Sequence, residues 1–79
     1  MRYVYILQSL SVRERHYVGS ANDLKRRFAE HNSGQSIHTN KFKPWKLVTY
    51  VAFSDAEKAD KFEAYFKTGS GRAFAKKHF

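Results

Sequence analysis

Five side chains in this sequence have types and spacing suited to chemistry: Tyr5, Tyr17, Arg27, His31 and Glu63. Tyr5 and Tyr17 lie in YVYIL and HYVG, segments rich in strand-forming residues. Arg27 and His31 are four apart, which stacks them on one stripe of a helix. An arginine offers a planar fork of N–H donors to an oxyanion, and a histidine exchanges a proton near neutrality. Glu63 falls at the edge of an apolar helical stripe made by Ala56, Ala59, Phe62 and Phe66. A carboxylate at the margin of an interior needs a partner, a metal ion or a raised pKa. Each residue also has an ordinary reading. The tyrosines could be core residues with hydroxyls at a sheet edge, Arg27 one more basic residue of LKRR, and His31 structural. Glu63 could keep its head in water or pair with a lysine such as Lys67.

The elements that must position these residues follow from the hydrophobic pattern. RYVYILQSL (2–10) reads as a strand with Tyr3, Tyr5 and Leu7 on one face and Val4 and Ile6 on the other. SVRER (11–15) makes a turn, HYVGS (16–20) a second short strand, and the short link favours an antiparallel hairpin. Asn22 or Asp23 can cap a helix running to about Asn32, and Gly34 suits the left-handed turn that ends it. Leu24 and Phe28, four apart, face the sheet. QSIHTNKFKP (35–44) reads as a polar, basic loop. WKLVTYVAF (45–53) is the strongest strand signal, and its length and apolar content suggest a central position. Ser54 with Glu57 forms a capping box for a helix to about Lys67, TGSG breaks it, and RAFAKKHF makes a short last helix. The order β–β–α–β–α(–α) implies an α+β fold: a small three-stranded antiparallel sheet flanked by helices, one domain over residues 1–79.

A domain of 79 residues without cysteine has no disulfide staple and no thiolate metal site. Its stability must come from packing, for which seven Phe, five Tyr and one Trp supply the area. No apolar run approaches the roughly 20 residues of a membrane helix, and MRYVYIL is too short for a signal peptide, so the chain reads as cytoplasmic. Fifteen Lys and Arg against seven Asp and Glu give a net charge of +8, which favours a polyanionic partner, nucleic acid first.

Taken together, YVYIL, then YVG about a dozen residues on, then Arg27, then EHN, then a glutamate on the helix after the third strand resemble the GIY-YIG nuclease superfamily. The likeness covers nearly the whole chain. It is greatest to the small single-domain members, which resemble the N-terminal module of the bacterial excinuclease that incises DNA, and it extends to the segment KTGSGR. Tyr3 stands where the name-giving glycine would be, and no asparagine follows Asn40, where some members carry a late one. The resemblance implies a metal-dependent endonuclease that hydrolyses DNA phosphodiester bonds, selective for a DNA structure, in repair or recombination. Tyr5, Tyr17, Arg27, His31 and Glu63 would be its catalytic residues, and Glu63 its metal ligand.

A single carboxylate suits Mg²⁺, with Mn²⁺ as the alternative, because Mg²⁺ keeps several waters and accepts substrate phosphate. Arg27 would grip the phosphate, Tyr17 or His31 would take the proton of the attacking water, and Gly19 would let the nucleic-acid substrate or backbone approach closely. Lys41, Lys43 and Lys46, and the late Arg72, Lys76 and Lys77, would contact the backbone of double-stranded or branched DNA. So small a module has little surface for reading bases, so a protein partner could supply targeting. The competing reading is a nucleic-acid-binding module of the same fold that does not cleave, or cleaves only with a partner.

Overall fold

The computed structural model describes residues 1–79. Its elements run β1 (Arg2–Ser9), β2 (His16–Ala21), α1 (Leu24–Ser33), one 3-10 turn (Asn40–Phe42), β3 (Trp45–Phe53), α2 (Ala56–Phe66) and α3 (Gly69–His78). The fold is α+β, with all three strands antiparallel in one sheet. The sheet order is β2-β1-β3, so β1 is central and β3 is an edge. This corrects the central place that the length of β3 suggested. The decisive mark is burial on both faces. Val4, Tyr5, Ile6 and Leu7 are consecutive and all buried, as a strand covered on both sides requires. In β3, Lys46, Tyr50 and Ala52 are exposed.

The alternation along β1 creates two cores. Tyr5 and Leu7 join Ala21 and Trp45 on one face, against which Leu24 and Phe28 of α1 pack. Val4 and Ile6 join Ala59 and Phe66 on the other face, with Phe62, Phe53 and Val18 around them. The register sets Tyr5 opposite Gly19 and Val4 opposite Ser20. Tyr17 and Gly19 therefore share the α1 face with Tyr5, and Ser20 lies on the α2 face.

Local chemistry explains the helix ends. Asp23 caps α1 by accepting from the Arg26 N–H at 3.0 Å, and Gly34 closes it at φ 85°. Asp55, not Ser54, caps α2, accepting from the Glu57 N–H at 2.9 Å. The Ser54–Glu57 capping box therefore does not form; the Glu57 side chain reaches Lys61 instead. Ala56, counted in the apolar stripe, is exposed at the first turn. TGSG does end α2, but it also starts α3: the Thr68 hydroxyl accepts from the Gly71 N–H at 3.0 Å. A Cβ on Gly71 would run into the Tyr65 carbonyl, so glycine is what lets α3 fold directly against the end of α2. The segment read as a loop, 35–44, contains the 3-10 turn and turns Ser36 and Thr39 inward.

Candidate active site

The α1 face carries a closed hydrogen-bond network. His31 is fully buried on α1. Its Nε2 meets the Tyr5 hydroxyl at 2.8 Å and its Nδ1 meets the Thr39 hydroxyl at 2.7 Å. The Thr39 carbonyl accepts from the Trp45 indole N–H at 2.9 Å. Burial pushes the His31 pKa down from 6.5 to about 4, helped by the Arg27 charge. The imidazole is therefore neutral, with one nitrogen accepting and the other donating. Burial raises the Tyr5 hydroxyl from 10.0 to about 12, reinforced by Tyr17 and opposed by the adjacent Arg27 guanidinium. Tyr5 keeps its proton, and the neutral ring meets the Tyr5 and Thr39 hydroxyls with one donor and one acceptor nitrogen.

Tyr17 leans into this group, its ring 5.0 Å from His31 and 6.4 Å from Tyr5. Gly19 is what lets the tyrosines converge: a Cβ there would lie 2.6 Å from the Tyr5 hydroxyl and 2.8 Å from the Tyr17 ring. Arg27 donates from Nη1 to Glu30 Oε1 at 2.9 Å, an ion pair that lowers the Glu30 pKa and raises that of Arg27. One guanidinium edge is taken, and the fork has further N–H groups to offer.

Glu63 lies across the sheet from this group, on α2. It accepts from the Ser20 hydroxyl at 2.8 Å through Oε1 and from Lys67 Nζ at 3.1 Å through Oε2. Its side chain is 21% exposed and that of Lys67 57%. Tyr5 is near enough to Glu63 for the carboxylate to contribute to its raised pKa. The structure therefore gathers Tyr5, Tyr17, Gly19, Arg27 and His31 on one face, and sets Glu63 on the other within electrostatic reach.

No group of three or more His, Asp or Glu side chains is arranged to hold a metal ion. A single half-buried carboxylate would suffice for a divalent ion that completes its shell with water and phosphate, once that ion displaces the Lys67 ammonium from Oε2. Lys41, Lys43, Lys46, Arg72, Lys76 and Lys77 are all exposed, and none is hydrogen-bonded to a side chain of this constellation. Lys41 sits over the Phe42 ring, Lys43 bonds Asn40, and Arg72 donates to the Lys67 carbonyl oxygen.

Three residues of the site escaped sequence reasoning. Thr39 anchors His31 from a segment that reads as polar loop. Glu30 holds Arg27, and its i,i+3 spacing was the available signal. Asn32 spans both backbone groups at the start of β3, accepting from the Trp45 N–H and donating to the Trp45 carbonyl at 3.1 Å. His31 and Asn32 thus fasten α1 to β1 and to the start of β3, while Glu30 holds Arg27 within the helix.

Comparison with known proteins decides what this arrangement belongs to. Residues 1–77 match the family model described as the GIY-YIG catalytic domain. The chain belongs to the GIY-YIG family. That family is one of nucleases, which act on DNA and generally use divalent metal ions. Two similar proteins are UPF0213 proteins of Streptococcus pyogenes serotypes M3 (strain SSI-1) and M1. Both are 35% identical over 72 residues, which is 90% of this chain and 76% of theirs. A third, from serotype M5 (strain Manfredo), is 33% identical over the same length. No helix of this GIY-YIG chain is long and apolar enough to cross a membrane.

Proposed function

We propose that this GIY-YIG chain is a divalent-metal-dependent endonuclease that hydrolyses DNA phosphodiester bonds, selecting its substrate by DNA structure. The observation that carries the reading is the grouping of Tyr5, Tyr17 and Arg27 around a buried neutral histidine, with a lone half-buried carboxylate in electrostatic reach.

The reaction is attack of water on phosphorus with cleavage of the P–O3′ bond. Arg27, steadied by Glu30, presents its free N–H groups to the phosphate oxygens and offsets charge in the transition state. His31 has both nitrogens engaged and a pKa near 4, so it serves better to lock Tyr5 in place than to take a proton at neutral pH. That leaves the Tyr17 phenolate, half-buried and beside the imidazole and favoured by Arg27 or a bound metal ion, as the acceptor of the water proton. Tyr5 orients the water or phosphate. Glu63 would hold Mg²⁺ or Mn²⁺, which would supply Lewis-acid stabilisation of the leaving oxygen. The exposed Lys41, Lys43 and Lys46, and Arg72, Lys76 and Lys77, add salt-dependent backbone affinity. We place this activity in the cytoplasm, in DNA repair or recombination, with a partner protein supplying targeting.

A second reading has one observation in its favour. Glu63 already has both oxygens partnered, as an ordinary interfacial glutamate would. On that reading the chain binds nucleic acid without cleaving it. Incubation with plasmid, flapped and branched DNA, with Mg²⁺, Mn²⁺ or chelator, separates the two. The nuclease reading expects metal-dependent cleavage that is lost in Glu63→Ala and Arg27→Ala. Binding of every substrate without cleavage, or cleavage surviving Glu63→Ala, overturns it.

A further inference from the structure

We propose that Ser20 and Arg2 are positioning residues for the Glu63 carboxylate, a relay that fixes one of its oxygens while a displaceable lysine covers the other. The proposal rests on Glu63 being the metal ligand of the nuclease reading. Arg2 Nη2 donates to the Ser20 hydroxyl at 3.0 Å, and Ser20 Oγ bonds Glu63 Oε1 at 2.8 Å. The direction of this chain is fixed by inventory. A guanidinium has only donors, so the serine oxygen accepts from Arg2, and its one proton goes to the carboxylate. The positive charge upstream polarises the hydroxyl and strengthens the bond it gives. Arg2 is itself steadied by Asn22, whose Oδ1 accepts from Nη1 at 3.3 Å.

The two oxygens of Glu63 are held very differently. Oε1 is tied to the sheet, through neighbouring strands 43 residues away in the chain. Oε2 is held by an ammonium on a long stem four residues along the same helix, with 57% of that side chain exposed. An exposed pair of this kind is weak and exchangeable. A divalent cation can therefore displace Lys67 at Oε2 without disturbing Oε1. Outer partners of a liganding carboxylate orient it, and their removal typically costs about 10- to 100-fold in metal affinity. Neither Ser20 nor Arg2 is among the five residues singled out from the sequence, because they meet Glu63 only through the fold.

The test is a Mn²⁺ titration of the full chain followed by paramagnetic broadening of backbone amides near Glu63, which reads weak binding without any cleavage. Circular dichroism melting runs beside it. Ser20→Ala is expected to weaken the Mn²⁺ midpoint about tenfold, Ser20→Thr to restore it, and Lys67→Met to tighten it about threefold. Ser20→Ala within twofold of the parent, while Glu63→Gln abolishes binding, overturns the relay and leaves the metal site standing. Ser20→Ala and Ser20→Thr equally weak, with equally lowered melting, assigns Ser20 to folding and also overturns it. Broadening that is unchanged in Glu63→Gln overturns the metal-site reading itself.

Discussion

The two faces of the sheet are built to opposite standards. On the α1 face, Tyr5, His31, Thr39 and Trp45 are buried and joined by bonds of 2.7 to 2.9 Å. On the α2 face, Glu63 is partly open to water and one of its two partners is a solvent-exposed lysine. The first face is a frame whose groups have nowhere else to bond. The second is a binding position whose occupant can change. A site that must hold a phosphate in register and yet admit a cation gains from having both.

The contrast can be broken most directly at its rigid end. His31→Leu keeps the volume roughly but leaves the Tyr5 and Thr39 hydroxyls buried without a partner. It should cost about 4 kcal/mol, read as a large drop in the urea midpoint. For so small a domain that is most of its stability. A normal midpoint would mean the frame is wetter than its burial implies.

The pH dependence comes next. The His31 pKa is 6.5 when free and about 4 when folded. Between these values the unfolded chain takes up a proton that the folded chain does not, so stability rises with pH. His31 therefore contributes fully above pH 6.5, and its contribution is lost as pH falls toward 4. Urea midpoints across that window should fall by less than deletion of the ring costs, and the share due to His31 should vanish in His31→Leu.

At the open end the expectation inverts. Glu63→Gln should lower metal-dependent cleavage at least about 100-fold, yet barely move the melting temperature, because its partners are exposed or have other bonds. Gly19→Ala should fall between the two, costing about 2 kcal/mol as the new methyl pushes the tyrosines apart, with a matching loss of cleavage. At the small end, Lys61→Ala removes a fully surface pair with Glu57 and should leave both melting and cleavage unchanged.

The same contrast explains what the sequence made legible. Periodicity located every strand and helix to within a few residues, because alternation in YVYIL and the i,i+4 pairs of α1 report local geometry. Which strand lies at the centre was not legible from length. It depends on what covers each face, and the run Val4–Leu7 marked it better than the longer β3. The five candidate residues were visible through their types and order. Their partners were not. Thr39 and Ser20 are small hydroxyl residues of the kind found all over protein surfaces, and only tertiary contact makes one an anchor for His31 and the other a donor to Glu63. Asp55 displaced Ser54 as a cap for a related reason: adjacent residues can both serve, and the backbone path chooses.

The successive residues His31 and Asn32 have a consequence for how this module can vary in length. His31 is bolted to Tyr5 and Thr39 and Asn32 to Trp45, and successive helical positions are turned by about 100°. One residue inserted between Arg27 and Glu30 would swing both bolts away from their sockets at once. Extra chain is tolerable at the exposed tip of the hairpin turn, Arg13–Glu14. Inside α1 the ruler has no slack, so a relative of this module can lengthen its hairpin freely and still keep the spacing from Arg27 to Asn32 unchanged.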